Sequence, residues 1–247
     1  MASGTLAVIP ARLGSSRFAG KIIHPYRGRP LIYYLWHHVR RARLVDHLVI
    51  ATDSPEIRRA AESFGADVVM TSSRHRTGSD RVAEVAGLFD AGLVINIQGD
   101  CIGLKAPLLD RIIERLRDDR SAQYATLVRP IRSDDELFDP GVVKVVTNAA
   151  GQALWFSRYP LPYLQNATAG ERWRQFRFQG HIGVYFFRRR ALRTYAAWTR
   201  GPLEKAESLE QMRILENGGT IRTFRTTARI VSVDTPDDLK KIADIYK

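Results

Sequence analysis

Short apolar segments rich in β-branched residues recur through the first half of the chain, and each ends at turn-forming residues. Such segments are typical of buried strands. Between them, apolar residues recur at helical spacing, and Pro55 stands where it suits the first turn of a helix. The predicted strands cover 5–10, 45–52, 66–71 and 91–98, and the predicted helices cover 31–39, 55–64 and 108–116. This alternation predicts a mostly parallel sheet with helices on both faces.

The pattern changes after about residue 120. Strand-like segments at 124–129, 142–147, 153–157 and 182–187 follow one another without regular helices, and we expect the polar stretch 166–177 to form a loop. Helical patterns return at 203–216 and 238–246, and 231–236 resembles a strand that ends in a turn. No linker separates two independent domains. We therefore predict one α/β domain over 1–247, with a core at about 1–120 and 220–247 and a smaller mixed lobe at about 121–219.

Composition excludes several classes of protein. Hydrophobic residues make up 45% and charged residues 26%, which suits a packed core and argues against disorder. No apolar run approaches the ~20 residues of a membrane helix, and the N-terminus lacks a signal-peptide pattern, so we expect a cytoplasmic protein with no membrane partner. The single cysteine, Cys101, allows no intramolecular disulfide and no zinc site of several cysteines, and we expect it to be a buried hydrophobe.

The chain is strongly basic, with 38 Lys and Arg against 26 Asp and Glu and a net charge of +12. A basic protein can bind nucleic acid, an acidic membrane surface or anionic small molecules, whereas a bias in composition gives the same excess with no partner. The arginine clusters at 40–43, 172–177 and 188–190 lie in no recognisable nucleic-acid module. We therefore expect no nucleic-acid partner.

The loop after the first predicted strand is suited to phosphate. It combines small residues, which let backbone N–H groups approach phosphate oxygens, with the cations Arg12, Arg17 and Lys21. It is neither a Walker loop nor a GxGxxG turn, and an ordinary solvated loop is the alternative. Three cations within ten residues at a strand end favour binding of a triphosphate.

Two aspartates stand at the ends of apolar segments. Asp100 follows the strand predicted at 91–98, and Asp234 follows the apolar residues of 231–236. Two carboxylates at strand ends can share one Mg²⁺ that bridges phosphate oxygens. Each aspartate alone could equally be a turn residue or a helix cap, and Asp234 could cap the last helix. The segment 75–81 could likewise contact a base or simply cap a helix that starts near Val82.

Segments spread over nearly the whole chain read VIPAR, SSRF, HRTGSDRVAEV, INIQGD, DPGVVKVV, FSR, HIGVY, PLEKAESLEQMR and VDTPDDL. In this order they resemble the CMP-Kdo synthetase family, the 3-deoxy-manno-octulosonate cytidylyltransferases. The resemblance implies a Rossmann-like nucleotidyltransferase core, a lobe for the acceptor and for dimerisation, and a homodimer. It also implies an enzyme that uses Mg²⁺ and CTP, joins CMP to an acidic acceptor and releases pyrophosphate.

The resemblance also implies roles for individual residues. The triphosphate would be held by Arg12, Ser15, Arg17 and Lys21. The cytidine would lie near Thr77, Gly78, Ser79 and Arg81. The acceptor would be contacted by Gln98, which also reaches the nucleotide, and by His181, Tyr185, Glu210 and Gln211. Magnesium would be bound by Asp100 and Asp234, and the catalytic groups would be Lys21, Arg12, Arg17 and Asp100.

Three departures from the family pattern bear on the acceptor. Cys101-Ile102-Gly103 stands where the family usually has Glu-Pro, Ala19 and Ile22 stand in the usual PGKP motif, and Gly180 replaces an Arg that commonly precedes the histidine. The retained acceptor residues favour 3-deoxy-manno-octulosonate (Kdo) or a close sugar acid. The lost Glu-Pro pair leaves open a phosphonate such as phosphonoformate, or a protein that binds nucleotide without catalysis.

Overall fold

The computed structural model of the chain describes residues 4–14, 18–168, 170–243 and 245. The chain forms two compact units. The first comprises Met1–Arg120, Val184–Ala196 and Ala228–Lys247, and the second comprises Ser121–Gly183 and Ala197–Thr227. Residues 184–196, expected in the lobe, thus lie in the first unit, and 220–227, expected in the core, lie in the second.

The first unit alternates strands and helices, as the sequence pattern predicts. Its elements are β1 (Gly4–Ala11), a 3-10 helix (Lys21–Ile23), β2 (Pro25–Tyr26), β3 (Arg29–Pro30), α1 (Leu31–Val39), β4 (His47–Thr52), α2 (Pro55–Glu62), β5 (Asp67–Met70), α3 (Gly78–Ala86), β6 (Ala91–Ile97), β7 (Cys101–Ile102) and α4 (Ala106–Asp118). The predicted helix near Val82 therefore begins one turn earlier, because Thr77 caps it in a capping box with Asp80.

The sheet of the first unit is mostly parallel. β1 pairs in parallel with β4 and β6, and β4 pairs in parallel with β5. The second half of β11 (Gln179–Arg188) adds an antiparallel strand beside β6. Leu6–Ile9 in β1 are fully buried, as are Leu31, Ile32 and Leu35 of α1. The apolar stripe of α1, which includes the buried Trp36, thus packs into the core as its spacing predicts.

The second unit is built on a mixed sheet. Its elements are β8 (Tyr124–Pro130), α5 (Asp134–Phe138), β9 (Lys144–Thr147), β10 (Ala153–Ser157), α6 (Arg172–Gln175), the first half of β11, α8 (Pro202–Glu207), α9 (Met212–Glu216) and β12 (Ile221–Arg225). β9 pairs antiparallel with β10 and β11, and β12 pairs in parallel with β8. The chain also contains α7 (Arg189–Ala197), β13 (Val231–Ser232) and α10 (Asp238–Ala243).

Several predictions about the second half are wrong in detail. Helices α5 and α7 occupy stretches where no helix is predicted, α6 lies inside the predicted loop 166–177, and strand β12 is not predicted at all. The helix predicted over 203–216 is interrupted between α8 and α9, where Ser208 adopts a left-handed conformation with φ 52°. Within the described residues, no helix is long and apolar enough to cross a membrane.

Candidate active site

Two short strands bring Asp100 and Asp234 together. β7, which follows Asp100 directly, pairs antiparallel with β13, which ends two residues before Asp234. The backbone N–H of Val233 also donates to the carbonyl of Asp100 at 3.3 Å. This pairing joins segments about 130 residues apart in the chain and sets both carboxylates at the edge where β6 ends.

Lys21 lies between the two carboxylates. Its Nζ donates to Asp100 Oδ2 at 2.5 Å, to Asp234 Oδ1 at 3.2 Å and to the carbonyl of Val233 at 2.8 Å. Burial alone would lower the pKa of Lys21, but Asp100 and then Asp234 outweigh burial and raise that pKa above its usual value. Lys21 is therefore a fixed positive charge at this edge, and the three side chains form what we call the Lys-Asp-Asp cluster.

The alternative reading of Asp234 as a helix cap is not what the structure shows. The carboxylate beside α10 that accepts from backbone N–H groups belongs to Asp238, whose Oδ2 binds the N–H groups of Asp234 and Thr235. These bonds and Lys241 hold the pKa of Asp238 at about 2, although burial acts in the opposite direction. Asp238 thus fixes the turn, and the carboxylate of Asp234 faces Lys21.

The cluster suits a hard divalent cation. Two carboxylates already surround a cation, the ammonium group of Lys21. Within the described part of the chain, no group of three or more His, Cys, Asp or Glu side chains could hold a metal by itself. A cation here would therefore take its other ligands from water or substrate, as Mg²⁺ commonly does.

The predicted triphosphate loop is described only in part. Arg12 is exposed and directly follows β1, so it stands at the same sheet edge as Asp100, which follows β6. Ser15 and Arg17 lie outside the described residues. Lys21 begins the 3-10 helix that follows the loop.

The N-terminus of α3 approaches this edge closely. A Cβ on Gly78 would lie 2.8 Å from Gln98 Nε2 and 3.3 Å from Pro10 Cγ, so only glycine fits without displacement. The adjacent Ser79 is buried and its Oγ accepts from the side-chain amide of Asn96 at 2.9 Å. Thr77, Gly78 and Gln98 are therefore neighbours, as their predicted common role requires.

Arg81 is buried and binds other side chains of the protein. Its guanidinium forms an ion pair with Asp53 at 3.2 Å and donates to Thr71, and the residue is 4% exposed. Asp53 follows β4 and Thr71 follows β5, so Arg81 ties together two loops at the same sheet edge. Its predicted contact with cytidine remains a prediction.

The predicted acceptor residues fall in both units. Tyr185 belongs to the first unit, where it is buried and pairs in register with Asn96. His181, Glu210 and Gln211 belong to the second. The His181 ring lies 2.8 Å from Thr126 Oγ1 and packs edge-on against Phe156, and loss of hydration lowers its pKa to about 3. The imidazole is therefore neutral at pH 7.

Several polar residues that hold the structure together are not among the residues predicted from the sequence. They are Asp53, Thr71, Asn96, Thr126, Arg158, Glu207 and Asp238. Asp53 carried the same signal as Asp100, since each carboxylate follows a buried apolar strand. Asn96, Arg158, Glu207 and Asp238 lie in segments that resemble the family, but the sequence gave no sign of their partners, which for most of these residues are distant in the chain.

Known proteins resemble this chain over nearly its whole length. A family model described as "Cytidylyltransferase" matches residues 6–230. The fold, the Lys-Asp-Asp cluster and this match together define a cytidylyltransferase enzyme.

Curated relatives narrow the class. The "3-deoxy-manno-octulosonate cytidylyltransferase" of Pelobacter propionicus is 41% identical over 98% of this chain and 96% of its own length. The protein of the same name from Chlorobium limicola is 43% identical over 94% of this chain and 93% of its own. A solved CMP:2-keto-3-deoxy-manno-octonic acid synthetase complexed with CTP is 36% identical, with a TM-score of 0.89 over 99% of this chain and 98% of that one. The chain belongs to the family of 3-deoxy-manno-octulosonate cytidylyltransferases.

Proposed function

We propose that this protein transfers CMP from CTP to Kdo and releases pyrophosphate. The observation that carries the proposal is the Lys-Asp-Asp cluster. It is supported by relatives named for that activity, which match this chain over 93% or more of both lengths. A protein that only bound nucleotide would not need a lysine held between two carboxylates at the edge where β6 ends.

In the proposed reaction, a hydroxyl oxygen of the acceptor attacks the α-phosphorus of CTP. The new O–P bond forms as the bond from the α-phosphorus to the oxygen that bridges to the β-phosphate breaks. Pyrophosphate leaves with that electron pair, and the acceptor hydroxyl releases its proton to water. Phosphoryl-type transfer needs positioning and charge neutralisation more than covalent help from the protein. Lys21 supplies a fixed cation, and Arg12 and Arg17 would add charge from the loop after β1.

We further propose that Asp100 and Asp234 bind Mg²⁺. Their carboxylates already hold the ammonium group of Lys21 between them, so the site favours positive charge, and oxygen donors suit this ion. A bound Mg²⁺ would offset the negative charge of the phosphate oxygens. The cytidine would lie near Thr77, Gly78 and Gln98, where the N-terminus of α3 meets the sheet edge.

The structure favours Kdo over a phosphonate as the acceptor. Cys101 and Ile102, which replace the Glu-Pro usual in the family, are 3% and 0% exposed, and they pair with β13. The replacement therefore changes buried packing behind Asp100 rather than a surface open to an acceptor. The residues assigned to the sugar, His181, Tyr185, Glu210 and Gln211, are all present.

The first test is pyrophosphate release with CTP and Mg²⁺, with Kdo and phosphonoformate as parallel acceptors. We expect turnover with Kdo and its loss on chelation of the metal. Turnover with phosphonoformate alone would replace the proposed acceptor, and no turnover together with tight CTP binding would mean a non-catalytic nucleotide-binding protein.

The cluster is tested by Asp100→Asn, Asp234→Asn and Lys21→Ala. Each should lower kcat/KM by about 10²-fold or more, since Lys21→Ala removes the fixed cation and each aspartate variant removes a proposed Mg²⁺ ligand. Asp237→Asn is a matched control, because this exposed carboxylate lies three residues from Asp234 and pairs only with the surface Lys240 among the described side chains. Near-normal rates in the cluster variants would refute the assignment.

We also propose a homodimer through the edge of the second unit. Strand β10 pairs along one side with β9, and Leu154, Trp155, Tyr159 and Tyr163 nearby are exposed by 56%, 36%, 74% and 85%. A strand edge flanked by large apolar side chains suits burial against a second copy. Sedimentation should give twice the monomer mass, and Leu154→Lys with Trp155→Lys should shift it to the monomer.

We also propose a cytoplasmic location, because the proposed substrate CTP is made inside cells.

A further inference from the structure

The turn between α8 and α9 carries two of the proposed acceptor residues, Glu210 and Gln211. It contains Ser208, which has a left-handed conformation at φ 52° and ψ 45°. A side chain with a Cβ pays a conformational cost in this region, and such residues persist only where their surroundings hold them. The contacts that hold Ser208 therefore decide where the rest of the turn points.

Arg158 binds this turn through its guanidinium group. Its Nε donates to the carbonyl of Glu207 at 2.9 Å, and its Nη2 reaches the carbonyl of Ser208 at 3.5 Å. The same guanidinium donates through Nη1 to the carbonyl of Pro140 at 2.8 Å. One arginine thus joins the turn to the strand that ends at Ser157 and to the loop before β9.

Glu207 completes the attachment from the other side. Its carboxylate accepts from Ser157 Oγ at 2.6 Å and from the backbone N–H of Arg158 at 3.0 Å. Arg158 and Glu207 are therefore joined twice: the side chain of Arg158 binds the backbone of Glu207, and the backbone of Arg158 binds the side chain of Glu207. We call Ser157, Arg158 and Glu207 the turn clamp.

A buried ion pair fixes the far side of the turn. Glu204 in α8 and Arg213 in α9 form two parallel bonds, at 2.7 Å and 2.8 Å, and their side chains are 1% and 2% exposed. Such a bidentate pair holds its two elements in one orientation. With both ends fixed, the turn has little freedom to move Glu210 and Gln211.

We propose that the turn clamp is a positioning device for the acceptor, with Glu207 as its central residue. The inference rests on the proposed function, because it assumes that Glu210 and Gln211 contact the acceptor. The clamp breaks the helix that the sequence pattern alone would continue through 203–216, and so directs these two side chains away from a helical path. None of its three residues needs to touch the substrate for this role.

The test compares Glu207→Gln and Ser157→Ala with Glu216→Gln. Glu216 is the matched control, because its carboxylate also binds α8, but at the opposite end, through the N–H groups of Leu203 and Glu204 at 2.7 Å and 3.0 Å. KM for CTP and for the acceptor are measured separately, with whichever acid the wild-type protein turns over. The stability of each variant is measured alongside.

Glu207→Gln should raise KM for the acceptor about tenfold, with less effect in Ser157→Ala, while KM for CTP changes less than about twofold. Glu216→Gln should lower stability without this split. Equal changes in both KM values, no change, or the same split in Glu216→Gln would overturn the proposal. Absence of wild-type turnover with any acid would instead refute the proposed function.

Discussion

At the scale of single residues, His181 shows how the environment sets the state of a side chain. The ring donates to or accepts from Thr126 and lies against Phe156, and its pKa falls to about 3 from an ordinary 6.5 because it loses hydration. Under the proposed function, a neutral imidazole at pH 7 could bind a sugar hydroxyl but could not act as a cation toward the acceptor carboxylate. The charge of that carboxylate would then have to be neutralised by other residues.

The shifted pKa of His181 predicts a pH dependence of stability. The unfolded chain binds the proton near pH 6.5 and the folded chain only near pH 3, so stability is fully present above 6.5 and is lost as pH falls toward 3. Because His181 as a residue is only partly buried, we expect a loss of about 2 kcal/mol over this window.

The measurement is urea unfolding at several pH values for the wild type and His181→Gln. The variant keeps a hydrogen-bonding side chain but cannot titrate, so its stability should fall less steeply between pH 6.5 and 3. Parallel pH curves for the two proteins would contradict the prediction, because other acidic groups titrate equally in both.

Gly180 lies close to the guanidinium group of Arg129. A Cβ on Gly180 would lie 3.7 Å from the guanidinium carbon of Arg129, which is paired with Glu136. The guanidinium beside Glu136 comes from strand β8, and a Cβ on Gly180 would also lie 3.3 Å from Val142 Cγ1. A long side chain at position 180 would therefore crowd both Arg129 and Val142.

This proximity predicts that the effects of mutations at positions 129 and 180 on stability are not additive. Gly180→Arg should destabilise by about 2 kcal/mol, because it crowds Arg129 and Val142, and Arg129→Ala should destabilise because Glu136 loses its guanidinium partner. The double variant should be more stable than the sum of the single effects by about 1 kcal/mol or more. Thermal or urea unfolding of the four proteins checks this, and simple additivity would mean that the two positions are independent.

At the scale of elements, the sequence predicts best where local pattern decides the structure. Helix α1 begins and ends as its apolar stripe predicts, and β1 differs from its predicted bounds by one residue at each end, because burial of a regular pattern is a local signal. The break at Ser208 could not be predicted, because the preceding residue, Glu207, is bound by Arg158, which is distant in the chain. The ion pair and hydrogen bond of Arg81 could not be predicted for the same reason, because its partners lie on two other loops.

The Lys-Asp-Asp cluster falls between these cases. A carboxylate after a buried strand is a local signal, so Asp100 and Asp234 could be selected as candidates. Their meeting depends on the pairing of β7 with β13, two-residue strands that carry no periodicity. That the carboxylate of Asp234 faces Lys21 could therefore be learned only from the structure.

The β7–β13 pair gives an element-scale prediction through Gly103. This residue has φ +95°, and a Cβ on it would lie 2.5 Å from the carbonyl oxygen of Arg229, just before β13. Gly103→Ala should therefore push the two strands apart, cost about 3 kcal/mol or more, and lower kcat by separating Asp100 from Asp234. Both stability and turnover are measured.

Gly65→Ala is the matched control for Gly103→Ala. Gly65 also has a positive φ, +82°, but a Cβ there would meet nothing within 4 Å. Its replacement should cost about 1 kcal/mol from backbone conformation alone and leave turnover unchanged. Equal effects of the two substitutions would show that the approach of Arg229 to Gly103 is unimportant.

At the scale of the whole molecule, the positive charge is unevenly distributed along the chain. Residues 1–45 contain eight Lys and Arg and no Asp or Glu, and this segment includes Lys21 and the loop proposed to hold the triphosphate. A surface of one sign attracts a polyanion from solution and raises its rate of encounter. Under the proposed function, the net charge of +12 therefore serves the capture of CTP and needs no nucleic-acid partner.

This reading predicts that kcat/KM for CTP falls as salt screens the field, by several-fold between about 20 mM and about 200 mM NaCl, while kcat at saturating CTP stays nearly constant. Arg27→Glu with Arg29→Glu tests the source of the field, since both residues are exposed on the β2–β3 hairpin and neither belongs to the Lys-Asp-Asp cluster. The double variant should show a lower kcat/KM at low salt and a shallower salt dependence, with kcat unchanged. A salt effect on kcat instead of kcat/KM would mean that salt acts on the reaction step, and the excess of arginine would then be a feature of composition alone.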